Sequence, residues 1–276
     1  MAKVKAKPEA IGDASNLPLQ IRTAELIKSS ERWKVYLEEQ PWKSPFNESG
    51  GYIDIVARHN VSADWYLVIE CKRVKQATWM FYIPEKEIEK QVNTRIWTTK
   101  FQRHYNKFGF NNHDVRPATF VSRFCSIQGQ GMGRQNELEE TAAVLIDSIE
   151  ALAHQEKNLI ERDGIDFELV YASLFIPIIL TNADLKVACF NPDDISLTDG
   201  ALPDRTVYEE VPYIRFQKSF SSRIEALGKE RSLPGFFKEK ERTVFVVNAG
   251  KFDEFMREWD IVNMVKEGPS LEGLLY

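Results

Sequence analysis

The sequence predicts a mixed α/β protein: a core in the order α-β-β-β-α-β, with a mixed sheet flanked by helices, and then a β-rich C-terminal extension. Three observations point there. Two apolar, β-branched runs, Ile53-Asp54-Ile55-Val56-Ala57 and Leu67-Val68-Ile69, flank a polar turn and read as neighbouring strands covered on both faces. Helical patterning lies before and after them. From Phe167 onward, short apolar runs separated by turn residues dominate.

Taken in order, residues 1–16 form a short basic arm. Their start, Met-Ala-Lys-Val-Lys-Ala-Lys-Pro, lacks the apolar core of a secretory signal. Ile21, Ala24, Ile27, Trp33 and Leu37 make a loose helical stripe, so residues 17–39 are expected to be helix, ended by Pro41. A short strand over 42–46 and the two strands above follow. Pro84-Glu85-Lys86-Glu87 opens a second expected helix, running to Phe108, with acids suited to its positive end. Residues 118–127 read as a strand, and residues 129–134, Gly-Gln-Gly-Met-Gly-Arg, as a flexible connector. Asn136 and Glu139 form a capping pattern for a helix ending near Gln155.

In the second half, residues 167–180 carry Pro177 and read as a bent or edge strand. Residues 185–190 are expected to return beside it as a hairpin, and 191–205 as a long loop. Residues 211–216 read as strand, 219–229 as helix, 243–247 as buried strand and 252–259 as helix. The chain has 276 residues, which allows one decorated domain or two small ones. The expected division is an arm (1–16), a core (17–160) and an α/β extension (161–276) packed on the same domain and walling a groove.

The hydrophobic share of 43% supplies a sizeable core. No apolar run approaches the roughly 18 residues of a membrane span, so no membrane partner is expected. Cys71, Cys125 and Cys189 are odd in number and far apart. They suit neither zinc nor a disulfide framework, and this predicts a reducing, cytoplasmic setting. His104 and His113, near Asn106 and Asn111, are too weakly patterned to be read as an HNH motif.

The chemistry gathers at the two central strands. Asp54 interrupts an apolar strand, and Glu70 and Lys72 share one face at the end of the next. In a hairpin Asp54 meets Glu70 across the ladder, while Cys71 alternates toward the core. Two carboxylates brought together need compensation, and a divalent cation supplies it. The bland alternative is an exposed hairpin whose charges form an ordinary salt bridge.

This pattern, Asp54 followed by Glu70-Cys71-Lys72, resembles the PD-(D/E)XK, or restriction-endonuclease-like, nuclease superfamily. Residues 49–57, Ser-Gly-Gly-Tyr-Ile-Asp-Ile-Val-Ala, are similar to Holliday-junction resolvases and Mrr-type endonucleases. The resemblance covers roughly the first 130 residues. Ile53 stands where the family's nominal proline would be. What the resemblance implies is a restriction-endonuclease-like core and an Mg²⁺-dependent endonuclease, with Mn²⁺ able to substitute. Asp54 and Glu70 would then be metal ligands and Lys72 the catalytic lysine. It implies roles in prokaryotic restriction, phage defence or DNA repair. In relatives a glutamate of the first helix joins the site, for which Glu25, Glu31 and Glu48 are the candidates, and Gln91 is an accessory candidate.

The net charge of −5 argues against nucleic-acid binding, but charge is segregated. Between Lys90 and Arg134 there are eight Lys or Arg and one acid, Asp114. Arg95, Lys100, Arg103, Lys107 and Arg123 are therefore expected to track a nucleic-acid backbone, DNA first with RNA left open. Two rivals stand beside the nuclease: a catalytically silent nucleic-acid-binding protein on the same fold, and a structural subunit. A homodimer and membership of a larger complex are both open.

Overall fold

In the computed structural model, which describes residues 15–60, 64–75, 77–102, 105–128, 137–162, 171–220 and 232–262, the first helix is short. Helix α1 (Leu17–Lys28) carries Pro18 in its first turn and stops at Ser29. Strand β1 (Trp33–Lys43) follows, so the helix expected over 17–39 is instead a helix and a strand. The spacing of Trp33 and Val35 also fits the period of two in a strand, and pairing with β2 (Gly50–His59) decides in favour of it, with a register shift that sets Leu37 against the opposite core. The buried face of α1 is Gln20, Thr23, Ala24 and Ile27, and Ile21 is exposed.

Beyond β3 (Trp65–Lys72), the second expected helix is also absent. Residues 84–108 hold the end of β4 (Thr78–Pro84), a single 3-10 turn over Glu85–Glu87, β5 (Gln91–Gln102) and the start of β6 (Tyr105–Thr119). The spacing of Trp97, Phe101, Tyr105 and Phe108 imitates a helix. Val92, Thr94, Ile96, Thr98 and Thr99 are β-branched, however, and they favour the pleated alternative. The strand expected over 118–127 is split into the end of β6, β7 (Val121–Ser122) and β8 (Phe124–Ile127). Helix α2 (Glu137–Arg162) forms where the capping pattern predicts one and runs longer.

The remaining elements are β9 (Tyr171–Thr181), β10 (Asp184–Phe190), β11 (Val207–Glu210), β12 (Tyr213–Ser219), α3 (Leu233–Glu239), β13 (Glu241–Asn248), α4 (Phe252–Glu258) and β14 (Asp260–Ile261). The expected helix over 219–229 falls almost wholly on residues 221–231, outside the described residues. Arg103, His104 and the glycine-rich 129–134 stretch also lie outside them.

The larger sheet runs β1-β2-β3-β9-β13-β12-β7, with β5, β6 and β14 attached. Strand β9 lies parallel between β3 and β13, so it is central rather than an edge. Its other edge pairs β5 as far as Phe175 and β13 from Ile178. Pro177 falls at this exchange of neighbours, where a missing N–H is tolerated. Strand β10 does not return beside β9. It joins a second sheet, β11-β10-β4-β8, parallel to β4.

Each face of the large sheet is covered. Leu138, Leu145 and Ile149 of α2 share one core with Val68, Phe175, Val244 and the second sheet's Trp79 and Phe81. Ala24 and Ile27 of α1, with Phe255 and Trp259, cover Ile55, Ile69 and Cys71 on the other face. No helix among the described residues is long and apolar enough to cross a membrane.

Candidate functional site

Strands β1, β2 and β3 set three carboxylates in one row. β2 and β3 are antiparallel with Ile55 paired to Ile69, so the next register position sets Asp54 opposite Glu70. β1 and β2 pair Glu38 with Ile55 and Gln40 with Ile53, which sets Glu39 opposite Asp54. Glu39 has a left-handed backbone, φ +49°. For a glutamate this conformation is uncommon. Neither Glu39–Asp54 nor Asp54–Glu70 is a regular ladder pair, so the ladder opens where the acids meet.

The surroundings fix Asp54. Its Oδ2 accepts the backbone N–H of Cys71 at 2.7 Å. Gln20, on the buried face of α1, donates its side-chain amide to the Glu39 carboxylate and to the Asp54 backbone carbonyl, the latter at 3.2 Å. The segment after Lys72 is braced as well. Arg73 N–H donates to Asn16 Oδ1 at 2.8 Å, Val74 N–H donates to Asn182 Oδ1 at 2.7 Å, and Asn182 donates back to the Val74 carbonyl.

Electrostatically the row is short of positive charge. Burial pushes the Glu70 carboxyl up to about 7; the Asp54 charge and then that of Glu39 push the same way, while Lys72 opposes them. Asp54 is raised chiefly by burial and further by Glu39, against the Cys71 N–H and Lys72. Burial also pushes the Cys71 thiol up, and its side chain is fully buried on the core face. Lys72 is partly buried, with Nζ 3.9 Å from Glu137 at the start of α2.

The three glutamates weighed from the sequence sit elsewhere. Glu25 pairs with Lys28 at 2.9 Å, Glu48 is fully exposed near Lys43, and Glu31 lies at the turn before β1. Gln91 begins β5, and its carbonyl accepts from buried Arg215. Glu39 falls outside the sequence candidates because the apolar stripe over 17–39 reads as helix, and its place opposite Asp54 follows only from the pairing of β1 with β2.

The basic candidates separate into two groups. Lys100 and Lys107 are cross-strand partners on the β5–β6 hairpin. Lys100 is level with Ala172 of β9 and Glu70 with Ile179, a separation along the strands of roughly 23 Å at about 3.3 Å per residue. Arg95 is half-buried, and exposed Arg123 pairs with Glu241 at 3.1 Å.

The donor set of the row, hard carboxylate oxygens raising one another's proton affinity, suits Mg²⁺ or Mn²⁺. Among the described residues no group of three or more His, Cys, Asp and Glu is arranged to hold a metal ion by itself. Mg²⁺ is commonly held by one or two carboxylates together with water and phosphate oxygens. No protein-family model, curated protein or solved structure matches the chain. The fold and site thus define a mixed α/β protein with a carboxylate row across β1, β2 and β3 and an adjacent lysine at the end of β3.

Proposed function

We propose that this chain is a metal-dependent nuclease that hydrolyses DNA phosphodiester bonds. The observation that carries the reading is the register of β1, β2 and β3, which sets Glu39, Asp54 and Glu70 side by side with Lys72 on Glu70's face. The order of elements supports it. With residues 78–127 taken as an insertion, α1-β1-β2-β3-α2-β9 has the α-β-β-β-α-β order that the resemblance implies, and β9 lies parallel beside β3.

Asp54 and Glu70, with Glu39 beside them, would hold Mg²⁺. When bound, the ion would polarise the phosphate and lower the pKa of attacking water. Lys72 supplies positive charge next to the developing negative charge and can orient the attacking water. The Cys71 N–H and Gln20 keep Asp54 and Glu39 from rotating away, and the Asn16 and Asn182 bonds hold the backbone beyond Lys72.

A second reading, a catalytically silent binding or structural subunit, draws on the Lys72–Glu137 contact, in which the lysine already has a carboxylate neighbour. The two part on one assay: purified protein with plasmid, linear, single-stranded and branched DNA, with and without Mg²⁺. The nuclease reading expects Mg²⁺-dependent cleavage that Asp54→Asn, Glu70→Gln and Lys72→Ala each reduce at least about a hundredfold, a typical effect of losing a group that acts in the transition state. Cleavage by Lys72→Ala at the parental rate would sink it. Metal-dependent binding without cutting would favour the second reading.

A further inference from the structure

We propose that Arg95 and Arg242 together form a binding site for a phosphate group. Arg95 lies on β5 and Arg242 at the start of β13, where the Arg95 backbone N–H donates to Thr243 Oγ1 at 3.0 Å. Arg95 shares a strand face with Trp97, and Arg242 with Val244, by alternation. Trp97, Phe110 and Val244 belong to one core, so both guanidiniums emerge on the α2 face.

Among the described residues neither arginine has a carboxylate partner within ion-pair distance. The Arg95 guanidinium makes no hydrogen bond or ion pair among the described residues, and its Nε is buried without a partner. Arg242 lies 4.1 Å from the Phe110 ring centroid and donates one nitrogen, Nη1, to the carbonyls of Glu239 and Glu241 at 2.7 and 3.0 Å. Burial and then the Arg95 charge lower Arg242 to about 10, with Glu150 opposing them, as expected of two cations on adjoining strands. The surrounding acids do not quench them. Glu241 is engaged by Arg123 at 3.1 Å and Gln217 at 2.9 Å, while Glu150 and Glu239 act only at longer range.

Two adjoining, half-desolvated guanidiniums cost free energy that a purely structural role would have removed with a carboxylate or an apolar side chain. What recovers that cost is a multivalent oxyanion. The planar arginine fork matches phosphate oxygens, and two forks reach more than one oxygen at once. Phe110 beneath Arg242 holds one plane in place. The proposal stands whether or not the carboxylate row holds a metal. The phosphate can be free, as in inorganic phosphate, or part of a strand.

The test uses the full chain in potassium phosphate against KCl of equal ionic strength, following ³¹P linewidth and the melting temperature, with a parallel arm titrating a short single-stranded oligonucleotide. Parent protein is expected to broaden the phosphate line and to melt higher in phosphate. Arg95→Gln and Arg242→Gln should each weaken binding about tenfold, the loss of one charge-assisted contact, about 1.4 kcal/mol. Lys251→Gln, at an exposed lysine next to α4 on the opposite side of the sheet, should bind as the parent does. Arg95→Lys keeps the charge but not the fork, so it should bind more weakly than the parent, and it decides the matter if a glutamine variant fails to fold. Arginine dependence in the phosphate arm identifies a free-phosphate site, and dependence in the oligonucleotide arm alone identifies a strand phosphate. Equal melting in phosphate and chloride together with arginine-independent oligonucleotide binding overturns the proposal.

Discussion

The backbone N–H of Cys71 donates to Asp54 Oδ2 at 2.7 Å, so β3 holds the carboxylate of β2 where the ladder between them opens. The same residue turns its thiol to the opposite core. Position 71 thus couples the site to the core: its amide serves the acid row and its side chain serves packing.

Burial of the Asp54 and Glu70 carboxyls contributes a stability to the metal-free protein that falls with rising pH. Glu70 titrates at about 7 when folded against 4.5 unfolded, and Asp54 is raised as well. Between these values the native state keeps a proton that the unfolded chain has lost, so stability present below pH 4.5 is lost as pH rises through about 7. Buried His113, lowered to about 4, and His59, also lowered, contribute in the opposite sense over part of this window. The carboxylate contribution is therefore read as the difference between parent and Glu70→Gln in melting temperature from pH 4.5 to 8 in chelator. That difference should change progressively through about pH 7, and saturating Mg²⁺ should raise the parent at the upper end. Parallel profiles of parent and Glu70→Gln would mean that the carboxylates do not interact.

Metal affinity should follow the same row. Calorimetric Mg²⁺ titration at pH 7.5 should show weaker binding for Asp54→Asn and Glu70→Gln, because each removes a hard anionic oxygen. Glu39→Gln should weaken it less, since that carboxylate is also held by Gln20. Equal affinity in Asp54→Asn and the parent would remove Asp54 from the ligand set.

Lys72→Ala should fold nearly as well as the parent. Its carboxylate neighbour Glu137 is 3.9 Å away and 43% exposed, an arrangement in which ion pairs stabilise by about 1 kcal/mol or less. Mg²⁺ affinity should hold or rise, because a nearby cation has gone. A loss above about 3 kcal/mol in urea denaturation would instead mark Lys72 as half of a buried structural pair.

Arg215 should be the arginine on which the fold depends most. It is fully buried, with Nε donating to Thr94 Oγ1, Nη1 to the Gln91 carbonyl and Thr119 Oγ1, and Nη2 to the Val92 and Val115 carbonyls. Its guanidinium also lies 4.8 Å from the Phe245 ring centroid. Arg215→Ala strands several acceptors and should cost more than about 3 kcal/mol, read as a drop in urea midpoint. Arg215→Lys keeps the charge with three donors for five and should recover only part of the loss.

Thiol labelling of the native protein should modify Cys125 and Cys189, both partly exposed, well before Cys71. Burial raises the Cys71 thiol and lowers its thiolate fraction further. Rapid labelling of Cys71 would mean that β3 is not covered on that face.

The sequence by itself determined the elements whose signal is local. Residues 53–57 and 67–72 show β-branched alternation, and their register brings Asp54 opposite Glu70 without reference to anything distant. The start of α2, the apolar run of β13 and the helix over 252–258 are likewise legible from neighbours in the chain. Only the tertiary structure decided the rest. Residues 33–43 and 91–102 fit both a helical and a strand period, and pairing with β2, β6 and β9 settles them, because those partners supply hydrogen bonds that local propensity cannot. Strand β9 comes to lie between β3 and β13 by burying both of its faces, an outcome for which Pro177 argues the wrong way locally. Glu39 beside Asp54, Arg242 beside Arg95 and the acceptors around Arg215 follow from these long-range pairings. Each sets side chains distant in the chain within reach of one another, and no spacing along the sequence encodes that contact.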